Sequence, residues 1–172
     1  MDSLDRDVLL ALQADGRQSN LSLAHSLGLS PSAMLGRVRR LERSGAIRGY
    51  RAIIAPAVLG ITVRAFVVVR LREHSEQSIA EFEERIKHVT GVRACYHVTG
   101  QFDMLIDLAL RDLDHLGQLI RVDIARIPGV TNLETMLIMA EPVADEGWPT
   151  VAEPHDPGAA VADPGAYPPK EE

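Results

Sequence analysis

The residues of this chain best suited to chemistry are four arginines in one short stretch, Arg37, Arg39, Arg40 and Arg43. A guanidinium group is permanently charged, and its planar fork matches phosphate oxygens and the O6/N7 edge of guanine. The four lie in PSAMLGRVRRLERSG, residues 31–45, where Met34, Val38 and Leu41 recur at i, i+4 and i+7. That spacing gathers the apolar three on one stripe of a helix. The opposite face then presents Ser32, Ala33, Gly36, Arg39, Arg40 and Arg43, with Arg37 on the flank. Small residues near the helix start let the backbone approach a groove, and the arginines farther along reach phosphates or base edges. Glu42 is the only acid in this helix, so the face lacks the mixed charge of an ordinary solvated surface. Glycine inside a helix costs about 1 kcal/mol relative to alanine, so Gly36 either serves a close approach to DNA or is merely tolerated.

A helix works on DNA only if something holds it rigidly. Ser30 is a capping residue with Pro31 at the first helical position, and Gly45 stops the helix. Before it, Leu21, Ala24 and Leu27 share one face of a shorter helix that Asn20 can cap. Gly28 between the two permits a left-handed turn residue, which completes a helix-turn-helix. Leu4, Val8 and Leu12 mark a first helix that ends at Gly16, with Asp5 and Asp7 near its positive end. After Gly45 the β-branched and aromatic stretch IRGYRAIIAP predicts a short wing or linking strand.

From Arg64 the pattern changes. RAFVVVRL is a strand; Ile79, Phe82, Ile86 and Val89 mark an amphipathic helix; VRACYHV and FDMLIDLAL are strands around a turn at Gly100-Gln101. Leu113, Leu116, Ile120, Ile124 and Ile127 mark a second helix, broken by Pro128-Gly129, and VTNLETMLIMA is a last strand. The order βαββαβ predicts an α+β, ferredoxin-like sandwich with both helices on one face of an antiparallel sheet. A second copy of the chain is the simplest cover for the bare face, so the domain is expected to dimerise. The expected division is a DNA-binding domain over 1–50, a hinge over 51–62, the sandwich over 63–140 and an acidic, disordered tail over 141–172.

Charge supports this division. The net charge is −6, yet residues 1–60 carry eight arginines against five acids, while residues 141–172 carry one lysine against eight acids. The acidity thus belongs mostly to the tail, which either keeps the protein soluble or competes with DNA for the basic helix. One cysteine, Cys95, makes no internal disulfide and fits a reducing cytoplasm. No apolar run reaches the roughly 20 residues of a membrane helix. His25, His74, His88, His97, His115 and His155 show no ligand spacing with Cys95 or with acids, so no metal site is expected. Nothing nearby activates Cys95 as a nucleophile.

The stretches LDRDVLLALQADGR (residues 4–17), LGLSPSAMLGRVRRLERSGAIRGY (27–50) and VTGQFDMLI (98–106) resemble the Lrp/AsnC, or feast/famine, family of bacterial and archaeal transcription regulators. The resemblance covers about residues 4–139. It implies a winged helix-turn-helix domain joined to a RAM-type sandwich that dimerises, often assembles to octamers and senses amino acids. The expected DNA contacts are Ser30, Ser32, Ala33 and Gly36 near base edges, with Arg37, Arg39, Arg40 and Arg43 on phosphates. Gly100 and Asp103 stand where the family has a G-x-x-D hairpin, which with Gln101 and Phe102 implies an effector site. There Asp103 would accept an α-ammonium group, with Thr135 and Met136 as neighbours. Beyond that effector no cofactor is implied, and no enzymatic activity. Gly36 stands where many relatives have a larger residue, and the tail has no counterpart in the family pattern. The C-terminal half by itself also fits dimeric barrels that house small monooxygenases, or a ligand-sensing module without DNA binding; the N-terminal half argues against both.

Overall fold

Val8, Leu23 and Met34 come from three separate helical segments and are all fully buried, which makes them the centre of a small helical core. In the computed structural model, which describes residues 1–143, 147 and 148, the helices are α1 (Ser3–Ala14), α2 (Asn20–Ser26) and α3 (Pro31–Arg43). Residues 1–47 belong to one compact unit and residues 48–143 to another.

Each helix of the first unit starts on a side-chain cap. Asp2 and Asp5 form a capping box on α1, in which each carboxylate accepts a hydrogen bond from the other's backbone N–H. Ser19, rather than the expected Asn20, caps α2: its hydroxyl oxygen accepts from the Ser22 N–H, which leaves Asn20 as the first helical residue. Ser30 caps α3 by accepting from the Ala33 N–H, with Pro31 in the first turn. Gly28 turns the chain between α2 and α3 at φ 67, a left-handed conformation that side chains resist. Leu29 N–H then donates to Ala24 O at 2.9 Å, which ties the turn to α2. Met34, Val38 and Leu41 face the core as their spacing predicts, joined there by Ala24 and by flanking Leu12, Leu27 and Ile47.

The stretch expected to form a wing or linking strand carries no strand. It runs as coil to a 3-10 turn at Pro56–Leu59, and Ile53 is 90% exposed. β-branched residues favour strands only where a neighbouring strand takes up their backbone groups, and among the described residues this stretch pairs with none.

The second unit contains β1 (Val63–Leu71), α4 (Glu76–Ile86), β2 (Val92–His97), β3 (Met104–Leu110), α5 (Leu113–Leu119) and β4 (Val130–Leu137). The strands form one antiparallel sheet in the order β2-β3-β1-β4, the arrangement expected of a split βαβ sandwich. Ala65, Val67, Val69 and Leu71 of β1 and Met104, Ile106, Leu108 and Leu110 of β3 turn to one face, where Phe82, Ile86, Leu116 and Leu119 cover them. Side chains alternate along a strand, so Phe66, Val68, Leu105 and Met136 turn to the other face. After α5 the helix widens into a π turn over Ile120–Ile124, where Ala125 N–H donates to Ile120 O at 2.8 Å. The wider turn brings Ile124 and Ile127 back onto the core. The turn into β2 requires glycine at Gly91: φ is 98, and a Cβ there would run into the Leu110 side chain. Most of the predicted acidic tail lies outside the described residues.

Candidate nucleic-acid interface and effector hairpin

The outer face of α3 is built as its periodicity predicts. Ser30, Ser32, Ala33, Gly36, Arg39, Arg40 and Arg43 are all exposed, while Met34, Val38 and Leu41 lie beneath. A Cβ added at Gly36 would meet nothing within 4 Å, so the residue is not required by packing inside the chain. Arg39 and Arg43 make no ion pair among the described residues, and both guanidinium groups face solvent. The result is a cationic ridge with a small-residue start, the shape and charge that a DNA groove accepts.

Arg37 departs from the expectation of a phosphate contact. Its Nη1 lies 2.7 Å from both carboxylate oxygens of Asp2 and 2.5 Å from Asp5 Oδ1, and its side chain is only 18% exposed. It is turned toward α1 rather than toward solvent. Arg40 is intermediate: its Nη2 lies 2.6 Å from Asp5 Oδ1, yet its side chain is 54% exposed. Asp5 is the one buried charged residue among those described. Burial pushes its carboxyl up, but Arg37, the Asp2 backbone N–H and Arg40 reverse this and bring it from 3.8 down to about 2. The carboxylate is therefore ionised at any ordinary pH and locks α1 to α3.

The hairpin between β2 and β3 is equally well tied. Asp103 N–H donates to Val69 O, and Val98 N–H donates to Asp103 O, both at 2.9 Å. Asp103 Oδ2 accepts from Leu71 N–H at 2.7 Å, and Oδ1 lies 2.7 Å from His74 Nδ1. Arg70 Nε donates to Gln101 O at 2.8 Å. Gly100 is exposed at φ 120, Gln101 is exposed, and Phe102 is half-buried. These residues do come together at one end of β1. Thr135 and Met136 do not join them: Thr135 pairs with Val67 and Met136 with Phe66, on opposite faces of β4. They lie about 10 Å along the strand from the hairpin end of β1.

Residues 64–148 match the family profile described as the Lrp/AsnC ligand binding domain, and residues 1–48 match one described as a winged helix-turn-helix DNA-binding domain. The leucine-responsive regulatory protein of Escherichia coli K12 is 36% identical over 141 residues, 82% of this chain and 86% of that protein. The chain belongs to the Lrp/AsnC family. Among solved structures, an AsnC-family regulator from Agrobacterium tumefaciens superposes with a TM-score of 0.80 at 27% identity, covering 87% of this chain and 97% of that one. Escherichia coli AsnC gives 0.76 at 27% identity over 84% and 95%. A transcriptional regulator from Neisseria meningitidis, solved as an L-Met complex, gives 0.78 at 25% identity over 84% and 93%.

This Lrp/AsnC chain is thus a DNA-binding transcription regulator with a ligand-binding domain, and its relatives are regulators rather than enzymes. The sequence reading missed four residues at its two sites: Asp2 and Asp5, which restrain Arg37 and Arg40, and Arg70 and His74, which brace the hairpin. Asp5 and Arg37 lie 32 positions apart, and no local pattern announces such a pair. Among the described residues no group of three or more His, Cys, Asp or Glu is placed to hold a metal, and no helix is long and apolar enough to cross a membrane. Cys95 is half-buried; burial, with Glu83 nearby, pushes its thiol up to about 11, so it is a poor nucleophile at neutral pH.

Proposed function

We propose that this regulator binds a roughly palindromic DNA site as a dimer and that an amino acid at the 100–103 hairpin modulates its assembly. The exposed face of α3 carries the reading, with Arg39 and Arg43 on phosphates, Arg40 in part, and Ser30, Ser32, Ala33 and Gly36 nearest the bases. One α3 enters each half-site, with half-sites about one helical turn apart. Pairing is supported by the sheet face that carries Phe66, Val68, Leu105 and Met136. On that face Arg64 Nε and Asp107 Oδ1 are buried and make no hydrogen bond among the described residues.

At the hairpin, Asp103 is the acceptor for the α-ammonium group, and the backbone around Gly100 meets the α-carboxylate. Thr135 and Met136 are remote from Asp103 within one chain, so a pocket using all of them is built from more than one copy. Ligand binding between copies shifts the assembly equilibrium and hence the number of half-sites held together.

The test is fluorescence anisotropy on DNA from the gene's own upstream region, at two salt concentrations, with and without a pool of amino acids. Tight, salt-sensitive binding that the pool alters supports both parts. Asp103→Ala should abolish the response and leave basal binding intact; a surviving response places the effector elsewhere. Binding no tighter than to a random duplex overturns the reading of α3.

A further inference from the structure

Helix α1 begins with two carboxylates aimed at the recognition helix, and their roles differ. Asp5 is 3% exposed and holds Arg37 and Arg40 together, so it is part of the packing. Asp2 has a side chain 55% exposed. As a helix cap it needs only an acceptor oxygen, which it supplies to the Asp5 N–H at 2.7 Å. A neutral asparagine caps as well. The negative charge of Asp2 therefore does something the cap does not require, and both its oxygens lie 2.7 Å from Arg37 Nη1. The Arg37 guanidinium and the Asp5 backbone N–H hold the Asp2 carboxyl below the usual carboxylate range, so it is ionised wherever DNA binding is measured. A carboxylate gripped by a guanidinium in this way mimics a phosphate oxygen pair.

We propose that Asp2 sets the ceiling on sequence-independent DNA affinity: its carboxylate occupies Arg37 as an internal stand-in for phosphate and withholds that guanidinium from the DNA backbone. This rests on the reading of α3 as the DNA-facing helix. Binding to arbitrary sequence is almost wholly a phosphate effect, so each arginine kept from the backbone lowers the background against which an operator must be found. The chain carries four arginines on α3 and leaves only Arg39 and Arg43 without an acid on α1.

The experiment compares the full chain with Asp2→Asn on a random-sequence duplex between 50 and 200 mM salt. Asn keeps the cap and removes the charge, so the melting temperature should stay within a degree or two. Asp5 still holds Arg37 Nη1 from below, so the freed side of the guanidinium makes at most one added phosphate contact: the affinity at 50 mM should rise, and the log–log salt slope should steepen measurably, with about 0.9 per subunit as the upper limit. Asp7→Asn, at an exposed acid of α1 beyond its first turn with no ion pair among the described residues, makes the same change in net charge and should leave the slope alone. An Asp2→Asn protein with parental affinity and slope overturns the proposal, and so does an Asp7→Asn protein that matches it. Arg43→Ala separates the two levels. If it weakens duplex binding while Asp2→Asn does nothing, α3 still faces DNA and only this proposal falls. If Arg43→Ala has no effect, the reading of α3 falls and takes the proposal with it.

Discussion

Arg43→Ala and Arg37→Ala should have opposite effects, although both remove a guanidinium from the same helix. Arg43 is exposed on the ridge opposite Met34, Val38 and Leu41 and is not engaged by the acids of α1. Its loss removes one phosphate contact per subunit and flattens the log–log salt slope by about 0.9. A change of salt from 50 to 200 mM is fourfold, so affinity should fall about 3.5-fold less across that range than it does for the parent, for each subunit on the duplex. The melting temperature should barely move, since an exposed arginine away from packing contributes little to stability. Arg37→Ala should behave in reverse. It leaves the buried Asp5 carboxylate with Arg40 as its one remaining arginine partner, so the helical unit should melt several degrees lower. Arg40→Ala should fall between, because Asp5 holds one of its nitrogens while half the side chain faces solvent. The assays are anisotropy titrations at four salt concentrations and thermal denaturation followed by circular dichroism. The reasoning is refuted if Arg37→Ala flattens the salt slope as much as Arg43→Ala while the melting temperature stays at the parental value.

Phe82 is fully buried between α4 and the sheet, so Phe82→Ala should destabilise the second unit by about 3–5 kcal/mol, read from urea unfolding. The Asp5 carboxyl is depressed from 3.8 to about 2 in the folded chain, so the stability it supplies is complete above about pH 4 and is lost as pH falls through about 2. Melting curves between pH 5 and pH 2 should show that loss, and Asp5→Asn, less stable at neutral pH, should show a shallower decline; equal slopes would remove Asp5 as the cause. With its thiol near 11 and half-buried, Cys95 should alkylate far more slowly than a free thiol at pH 8 and react quickly once the chain is unfolded.

Periodicity made most of the fold legible. The i, i+4, i+7 spacing of Met34, Val38 and Leu41 and the alternation of Met104, Ile106, Leu108 and Leu110 each report on a face that must be buried, and burial is what fixes these elements. The stretch around Ile53 and Ile54 shows the limit of that logic: strand-favouring side chains without a partner strand remain coil. The π turn after α5 was hidden for the opposite reason, since Leu116, Ile120 and Ile124 keep a helical spacing across it. At the candidate sites, residue types were legible and partners were not. Four arginines on α3 look alike in the sequence, but the fold sets Asp2 and Asp5 against Arg37, sets Asp5 against Arg40 as well, and leaves Arg39 and Arg43 without an acid of α1. The resemblance implies an ammonium acceptor at Asp103 but not that its carboxylate also accepts from the Leu71 N–H and lies 2.7 Å from His74 Nδ1.

That engagement makes Asp103 a shared acceptor. Any ammonium group that takes its carboxylate competes with the Leu71 N–H, the last of β1, 2.7 Å from Oδ2, and with the His74 imidazole, 2.7 Å from Oδ1. On the proposed reading of the hairpin as the effector site, its occupancy and the order at the end of β1 are thermodynamically linked, and linkage is reciprocal. Whatever loosens that strand end, heat or a substitution at His74, should raise the carboxylate's availability, and whatever fills the hairpin should fray the strand. If the hairpin takes a ligand as proposed, it can report it without any rigid-body movement, because what is given up is the Leu71 hydrogen bond and the His74 contact at the end of a central strand.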